Sequence, residues 1–201
     1  MLKVRKMHRF MGLLLMVPFL VWAATGLIFF VKPGYKAAYE SLQTPQLPLE
    51  ALALPDIAGA REIRVMRTQL GDSLFIRDVA GWRHLDAKTG VPKQEPSEAE
   101  LQTFFAEAIS GNPLRYGSIV AVEGMQATTS TGVEITLDWS SLKLYQYGRD
   151  TKRIDWFYKL HYLQWTGHAG FDRFLGISGL VLLVAMTFSG MFLLFGSSKQ
   201  D

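Results

Sequence analysis

The chain has 201 residues and no cysteine, which is enough for one modest folded domain and which excludes disulfides, thiolate metal ligands and cysteine nucleophiles. The net charge of +3 comes from a short basic tail at positions 1–9, because positions 32–173 carry 16 basic and 17 acidic side chains. A tail this short cannot form the extended basic surface that binds a phosphate backbone, so the charge distribution argues against a nucleic-acid partner.

Two long stretches lack charged side chains altogether. Positions 10–31 are uncharged over 22 residues and positions 174–196 over 23, and each can cross about 30 Å of hydrocarbon as a helix. A cleaved signal peptide is the alternative for the first stretch, although the stretch is longer than a usual signal-peptide core. We therefore predict transmembrane helices at 10–31 and 174–196, which form a hairpin in the lipid bilayer.

The basic residues before the first span predict its orientation. Lys3, Arg5, Lys6 and Arg9 favour the cytoplasm, and the pair Lys32 and Lys36 on the other flank weakens this signal without reversing it. The segments 1–9 and 197–201 are then cytoplasmic tails, and the central region lies outside the cytoplasm. In a Gram-negative cell, this arrangement predicts an inner-membrane protein with a periplasmic domain.

Small and kinking residues recur in both spans. They let helices approach closely, either to pack the two spans together or to form a groove for a cofactor. Two helices alone can hardly enclose a large ligand, so a cofactor would require a homo-oligomer or a partner membrane subunit. These residues are Gly12, Pro18, Ala23, Ala24, Gly26, Gly176, Gly179, Ser189 and Gly190.

The region 32–153 is predicted to be an α+β domain. Closely spaced prolines in positions 33–55 predict a short helix near 35–42 followed by an extended connector. The stretches REIRVMRTQ, SLFIRDV and GWRHLDAKTG then predict a meander of three antiparallel strands, and YGSIVAVEG, GVEITLDW and LKLYQYG predict further strands.

A helix is predicted between these two groups of strands. Ser97 and Glu100 form a capping-box pattern, and an apolar face with Phe104 and Phe105 follows before Gly111 ends the helix. We expect Phe104 and Phe105 to be buried against a sheet surface formed by Ile63, Val65 and Phe75.

Three stretches together resemble the PepSY-associated transmembrane proteins in order and spacing: HRFMGLLLMVPFLVWAATGLIFF, WRHLDAKTG and WFYKLHYLQWTGHAGFDRFLGISGLVLLVAMTFSGMFLLF. The resemblance implies an extracytoplasmic PepSY-like domain between membrane helices. Larger members of that family have four membrane helices, and some are linked to reduction of siderophore iron through haem held by membrane histidines. Soluble PepSY modules are associated with protease inhibition, so the resemblance also implies a regulatory binding module.

The segment 154–173 is predicted to form an interfacial helix with aromatic residues and histidines, and it carries the candidate cofactor ligands. Imidazole is a good axial ligand of haem iron, so His161, His168 and His8 are candidate ligands of a b-type haem, and Arg173 is a candidate partner of a propionate. His161 and His168 are also the candidate metal ligands. His8 lies at the opposite end of the hairpin, about 30 Å away along a helix, so no haem can join it to the other two within one chain.

Two ligands on one helix face cannot sandwich a porphyrin, so bis-histidine ligation would require a second chain or a reversal at Gly167 and Gly170. Alternatively, the aromatic residues of 154–173 form an interfacial belt, and the histidines only bond to lipid headgroups. A small metal site formed by His168 and Asp172 is a further option, and His84 is interpreted as a structural residue of a strand.

Three functions therefore remain open. The first is a haem-binding subunit of transmembrane electron transfer linked to periplasmic ferric or siderophore-iron reduction, which would be redox chemistry of the ferric-reductase type. The second is a membrane-anchored PepSY module that regulates a protease or partner protein, and the third is a cofactor-free scaffold subunit. Hydrolase motifs are not found in the sequence.

Overall fold

The computed structural model describes residues 2–55 and 57–197. Two helices in it are long and apolar enough to cross a membrane: α1 at Leu2–Val31 and, last in the chain, α6 at Ala169–Ser197. Both helices begin before the uncharged stretches at 10–31 and 174–196: α1 also includes most of the basic tail, and α6 starts five residues earlier, at Ala169. The chain divides into two compact units, of which the first comprises the two long helices and the segment that precedes α6.

The two long helices pack through some of the predicted small residues. A Cβ at Gly12 would lie 3.9 Å from Cε of Met186, and one at Gly190 would lie 3.3 Å from Cε1 of His8, so both glycines lie in the contact. Gly26 has no such neighbour within 4 Å. Some of the small residues are thus explained by packing of the two helices, because small side chains let membrane helices approach closely.

The segment 154–173, predicted as one interfacial helix, is divided in the structure: helix α5 at Arg149–His161 ends well before α6 begins at Ala169. The amide of Leu163 donates to the carbonyl of Leu160 and that of Gln164 to the carbonyl of Lys159, with Leu163 in the left-handed region at φ 55°. This is the Schellman arrangement that closes a helix, with leucine at the position that glycine usually takes. The Leu163 side chain is buried and lies against Gly179, where an added Cβ would come within 3.3 Å of it. The chain then turns again at Gly167, φ 77°, before α6.

The second unit contains two antiparallel sheets. The first has three strands and the second has four, and in each sheet the strands lie side by side in chain order. Short helices α2 at Tyr35–Ala38 and α4 at Pro113–Tyr116, and the longer α3 at Glu98–Ile109, complete the unit. The strands are β1 Glu62–Thr68, β2 Gly71–Asp78, β3 Gly81–Asp86, β4 Ile119–Glu123, β5 Gln126–Thr129, β6 Glu134–Asp138 and β7 Lys143–Tyr147. The predicted class, an α+β membrane protein, is confirmed.

Helix α3 supplies the centre of the main core. The predicted capping box is present: Ser97 Oγ accepts from the amide of Glu100, and the Glu100 carboxylate accepts from the amide of Ser97. Phe104 and Phe105 are fully buried. They pack with residues from both sheets and from α4, namely Phe75, Tyr116, Ala127, Val133, Ile135, Leu137, Leu142 and Leu144.

The predicted partners of the two phenylalanines were wrong in part. Phe75 pairs with Arg64 in the register of β1 and β2, so Ile63 and Val65 point to the opposite face of the sheet from Phe75. Ile63 is largely exposed, and Val65 packs on a second cluster with Leu74. Residues of the connector, Leu52, Ile57 and Ala60, cover that second cluster, so the connector closes the other face of the first sheet.

Candidate functional site

The His161 ring lies where the end of α5 meets α1. Its Nδ1 is 2.8 Å from the hydroxyl of Thr25, and its backbone carbonyl accepts a hydrogen bond of 2.7 Å from Nε1 of Trp22. The ring of Phe29 meets it edge-on at 5.1 Å between centroids. The Schellman ending described above places His161 in the last turn of α5, and contacts from α1 hold both its ring and its carbonyl.

The hydroxyl of Thr25 identifies the protonated nitrogen of His161. Thr25 Oγ1 lies 2.6 Å from the carbonyl oxygen of Val21, which can only accept, so the single hydroxyl proton is required there. The hydroxyl must then accept from Nδ1–H of His161. This leaves Nε2 with the lone pair, which is the form of imidazole that ligates a metal.

An apolar cleft adjoins the same ring. It has a volume of about 490 Å³, within the range of cofactor sites, and it is lined by Trp22, His161, Tyr162, Leu163, Gly176, Leu180 and Leu183. The glycine at position 176 lies opposite the carbonyl of Tyr162, where a Cβ would come to 3.9 Å. The cleft therefore offers one imidazole and otherwise apolar walls.

Arg173 lies in a neighbouring cleft of about 630 Å³. The two clefts share Tyr162, Gly176 and Leu180, and the second cleft also includes Lys159. A ligand with an apolar body and carboxylate arms could place the body beside His161 and the arms beside these cations, because a guanidinium pairs well with a carboxylate. The two adjoining clefts thus offer one imidazole, apolar walls and two cations to a ligand of this kind.

His168 is separated from His161 by the break between α5 and α6. Its side chain is exposed, and its carbonyl accepts from the amide of Asp172, so His168 caps the start of α6. The Asp172 carboxylate accepts from both the amide and the hydroxyl of Thr166, which holds the turn closed. Asp172 therefore stabilises the turn before α6. The roles of His168 in haem binding and in metal binding stay predictions.

His8 lies at the other end of the long-helix pair. Its Nδ1 is 2.8 Å from the hydroxyl of Ser189 on α6. His161 and His8 are therefore not brought together, as the sequence predicted from their positions in the hairpin. Within the described ranges, no three or more His, Asp or Glu side chains gather in a group that could hold a metal ion.

The hydroxyl residues beside these histidines were not identified from the sequence as functional. Thr25 was not singled out, and Ser189 was noted only as a small residue. A hydroxyl inside an otherwise apolar span is a usable signal, since polar groups in membrane helices are costly and usually have a partner. The partner itself could not be predicted, because Thr25 and His161 are 136 positions apart.

In the second unit, a groove of about 800 Å³ lies between the outer edges of β1 and β7. The extended segment after α2 forms its third wall. The amide of Leu47 donates to the carbonyl of Arg67 in β1, and the hydroxyl of Thr44 donates to the carbonyl of Leu142, the residue before β7. The lining includes Leu42, Arg64, Val65, Met66, Lys143, Leu144 and Tyr145. Edge strands present unpaired backbone groups, so this groove is a candidate site for an extended peptide.

The model of the family described as PepSY-associated TM region matches residues 5–201, almost the whole chain. The chain belongs to this family. In comparisons with curated proteins and with solved structures, nothing matches the chain. Membership in a PepSY-associated TM family, together with the two apolar helices, makes the chain a membrane protein with a PepSY-type domain organisation.

Proposed function

We propose that this PepSY-associated membrane protein binds a b-type haem through Nε2 of His161. The observation that carries the proposal is the His161 ring itself, which borders an apolar cleft and is held at Nδ1 by the hydroxyl of Thr25, away from Nε2. Bound haem would supply one-electron transfer between the ferric and ferrous states. The chain's own residues hold the imidazole, exclude water with apolar walls, and offer Arg173 to a carboxylate.

The cleft contains one imidazole, so a haem held by two histidines would need the second one from another chain. The cleft is open on the surface of the helix pair, and a second copy of this chain or a partner membrane subunit could close it. We therefore propose that the protein acts in an assembly of at least two chains, as a subunit that passes electrons to ferric or siderophore iron outside the cytoplasm. This role corresponds to an inner-membrane position with both chain ends cytoplasmic.

The test is an absorption spectrum of the full chain purified from haem-replete cells. We expect a Soret band that shifts on reduction and is lost in His161→Ala, while His168→Ala is a matched control that removes an exposed imidazole seven positions away. A wild type that never carries haem, or a His161→Ala variant that keeps the band, would overturn the proposal. Loss of the band in His168→Ala alone would assign the ligand to His168 instead and equally overturn the role of His161.

A second candidate function is a membrane-anchored binding module that regulates a protease or partner protein. The groove between β1 and β7 favours it, because two strand edges and an extended segment meet there. The test is hydrogen exchange of the full chain with and without candidate partner peptides. Slower exchange of the edge amides of β1 and β7 would support this function, and unchanged exchange with every peptide that binds would contradict the site.

A further inference from the structure

The two histidines at opposite ends of the long-helix pair are held in the same way. Each ring is fixed at Nδ1 by a hydroxyl from another helix: His161 by Thr25 of α1, and His8 by Ser189 of α6, both at 2.8 Å. His8 and Thr25 are 17 positions apart on α1, which is about 25 Å along the helix axis. The arrangement therefore occurs twice, at two separate levels of the same helix pair.

Both hydroxyl protons have an acceptor on their own helix. Thr25 Oγ1 lies 2.6 Å from the carbonyl oxygen of Val21, and Ser189 Oγ lies 2.9 Å from that of Met186. A carbonyl oxygen cannot donate, and two oxygens at these separations repel each other unless a proton lies between them. Each hydroxyl therefore uses its one proton on its own helix and offers only a lone pair to the imidazole.

We infer that Thr25 and Ser189 are positioning residues that fix His161 and His8 in the Nδ1–H tautomer. Nε2 then carries the lone pair in both rings, and both rings are ready to act as ligands at two levels of the helix pair. The surroundings strengthen this control, because a hydrogen bond counts for more where water is scarce. For His161 the use of this tautomer rests on the proposed haem function, whereas the tautomer itself exists without any ligand.

Gly190 contributes to the site at His8. A Cβ at this position would lie 3.3 Å from Cε1 of the His8 ring, closer than most Cβ contacts, so the ring fits against a bare backbone next to Ser189. Gly190→Ala should displace the ring from the hydroxyl of Ser189. It therefore provides a variant that disturbs the His8 tautomer without removing either hydrogen-bonding group.

The test is ¹⁵N NMR of the ring nitrogens in the full chain, prepared without haem in detergent micelles at a pH near 8. Four histidines give a small set of signals, and two serve as internal references. His84 Nδ1 lies 2.8 Å from the carbonyl oxygen of Trp139 and must also carry a proton, whereas His168 is exposed and should show a mixture of tautomers. We expect the ring ¹⁵N signals of His8 and His161 to show the same tautomer as those of His84.

Substitutions then separate the two sites. Thr25→Val keeps the shape of the side chain and removes the hydroxyl, so the His161 signals should move toward the His168 mixture while those of His8 stay. Ser189→Ala and Gly190→Ala should move the His8 signals toward the His168 mixture and leave those of His161 unchanged. Thr25→Ser should keep the wild-type tautomer at His161. A His161 spectrum that is the same in wild type and Thr25→Val, or a wild type that already shows a mixture, would overturn the inference.

Haem titration of the same proteins distinguishes this inference from the proposed function. Removal of a residue that orients a ligating histidine typically weakens metal affinity by 10–100-fold, so Thr25→Val should lower haem affinity by about tenfold or more while Thr25→Ser keeps it. If the wild type binds no haem, the proposed function fails although the tautomer result stands. If haem binds with equal affinity to wild type and Thr25→Val, the positioning role of Thr25 fails and haem binding stands.

Discussion

His84 is a half-buried imidazole outside the membrane helices, and its environment favours the neutral form. It pairs with Phe75 across β2 and β3, stacks on that ring at 4.4 Å, and lies 4.5 Å from the ring of Trp139. Burial lowers the pKa of His84 from 6.5 to about 4, against the opposing effect of its bond to the Trp139 carbonyl, and nearby Lys93 lowers it further. In the neutral state Nε2 has no partner among the described residues.

This environment makes the stability of the second unit depend on pH in a defined window. Because the pKa of His84 is lower when the chain is folded, the unfolded chain binds the proton first, and the free energy of unfolding falls as pH drops from about 6.5 to about 4. We expect a loss of about 1 to 2 kcal/mol, less than the full shift because the ring is only half-buried.

Thermal unfolding of the full chain between pH 7 and pH 4 measures this loss. His84→Phe keeps a ring against Phe75 and removes the titration, so its stability should change less over that range. Equal slopes for the two proteins would assign the pH dependence to other groups. Below pH 4, the carboxylates of Asp86, Asp138 and Asp150 have lowered pKa values, and they should add a separate loss that both proteins share.

Arg115 joins three segments of the second unit. Its guanidinium donates to Asp150 at 2.5 Å and to Gln146 at 2.6 Å, and it lies 3.8 Å from the carboxylate of Glu40. Burial works to raise the pKa of Asp150, but bonds from Arg115 and from the amide of Thr151 hold that pKa below its ordinary value. The side chain of Arg115 is itself almost buried, so these partners replace the hydration that its charge loses.

We expect Arg115→Met to lower the free energy of unfolding by about 2 to 3 kcal/mol, less than for a fully buried pair because the carboxylate of Asp150 keeps some contact with water. Arg115→Lys should recover only part of the loss, since one ammonium cannot make the forked contact to Asp150 and Gln146. Arg61→Met is the control, because Arg61 is exposed and such positions usually change stability by less than about 0.5 kcal/mol. Denaturant unfolding of the three variants in detergent measures their stabilities, which should rise from Arg115→Met through Arg115→Lys to Arg61→Met. Equal stability of the two Met variants would contradict the role of Arg115.

Among the elements, α3 is the one whose role is clearest from local pattern. Its apolar residues recur at helical spacing, its capping box fixes the start, and its buried face is the one predicted. Phe104 is fully buried within the main core and meets the ring of Phe105 edge-on at 6.0 Å. The helix therefore packs through two adjacent aromatic side chains.

Phe104→Ala should lower the free energy of unfolding by about 3 to 5 kcal/mol, because a large side chain is lost and a cavity remains. Gln102→Ala, on the exposed face of the same helix, should leave it nearly unchanged. Differential scanning calorimetry of the full chain compares them. A Phe104→Ala protein that melts with the wild type would show that α3 does not pack as described.

Local pattern identified these elements but not their partners. Period-two alternation in β1 shows that Ile63 and Val65 share a face, but not which face meets α3; the register, in which Arg64 opposes Phe75, decides that. Strand β5 was missed because its sequence, QATT, is only four residues long and does not alternate apolar and polar residues. A break inside 154–173 was considered only as a reversal at Gly167 and Gly170, whereas helix α5 ends earlier, with Leu163 in the left-handed region and in contact with Gly179.

At the scale of the whole molecule, the sequence predicted the two spans and the cofactor candidates because charge depletion and imidazole chemistry are visible in the residues themselves. It could not predict the hydroxyl partners of His161 and His8, which come from distant parts of the chain. Both sites lie within the unit of long helices, whereas the peptide groove lies within the second unit. The two proposed functions therefore use separate residues and can be tested separately.

Orientation in the membrane is the prediction that connects the two units to function. The four basic residues of the tail, against Lys32 and Lys36 beyond the first span, predict that the tail is cytoplasmic and that the second unit is on the other side. The chain has no cysteine, so single substitutions Lys3→Cys and Glu95→Cys at exposed positions report each side without background. In intact cells, a membrane-impermeant maleimide should label Glu95→Cys and label Lys3→Cys only after permeabilisation. The reverse pattern would place the His161 cleft on the cytoplasmic side, and iron outside the cytoplasm could not then receive electrons from that end of the helix pair.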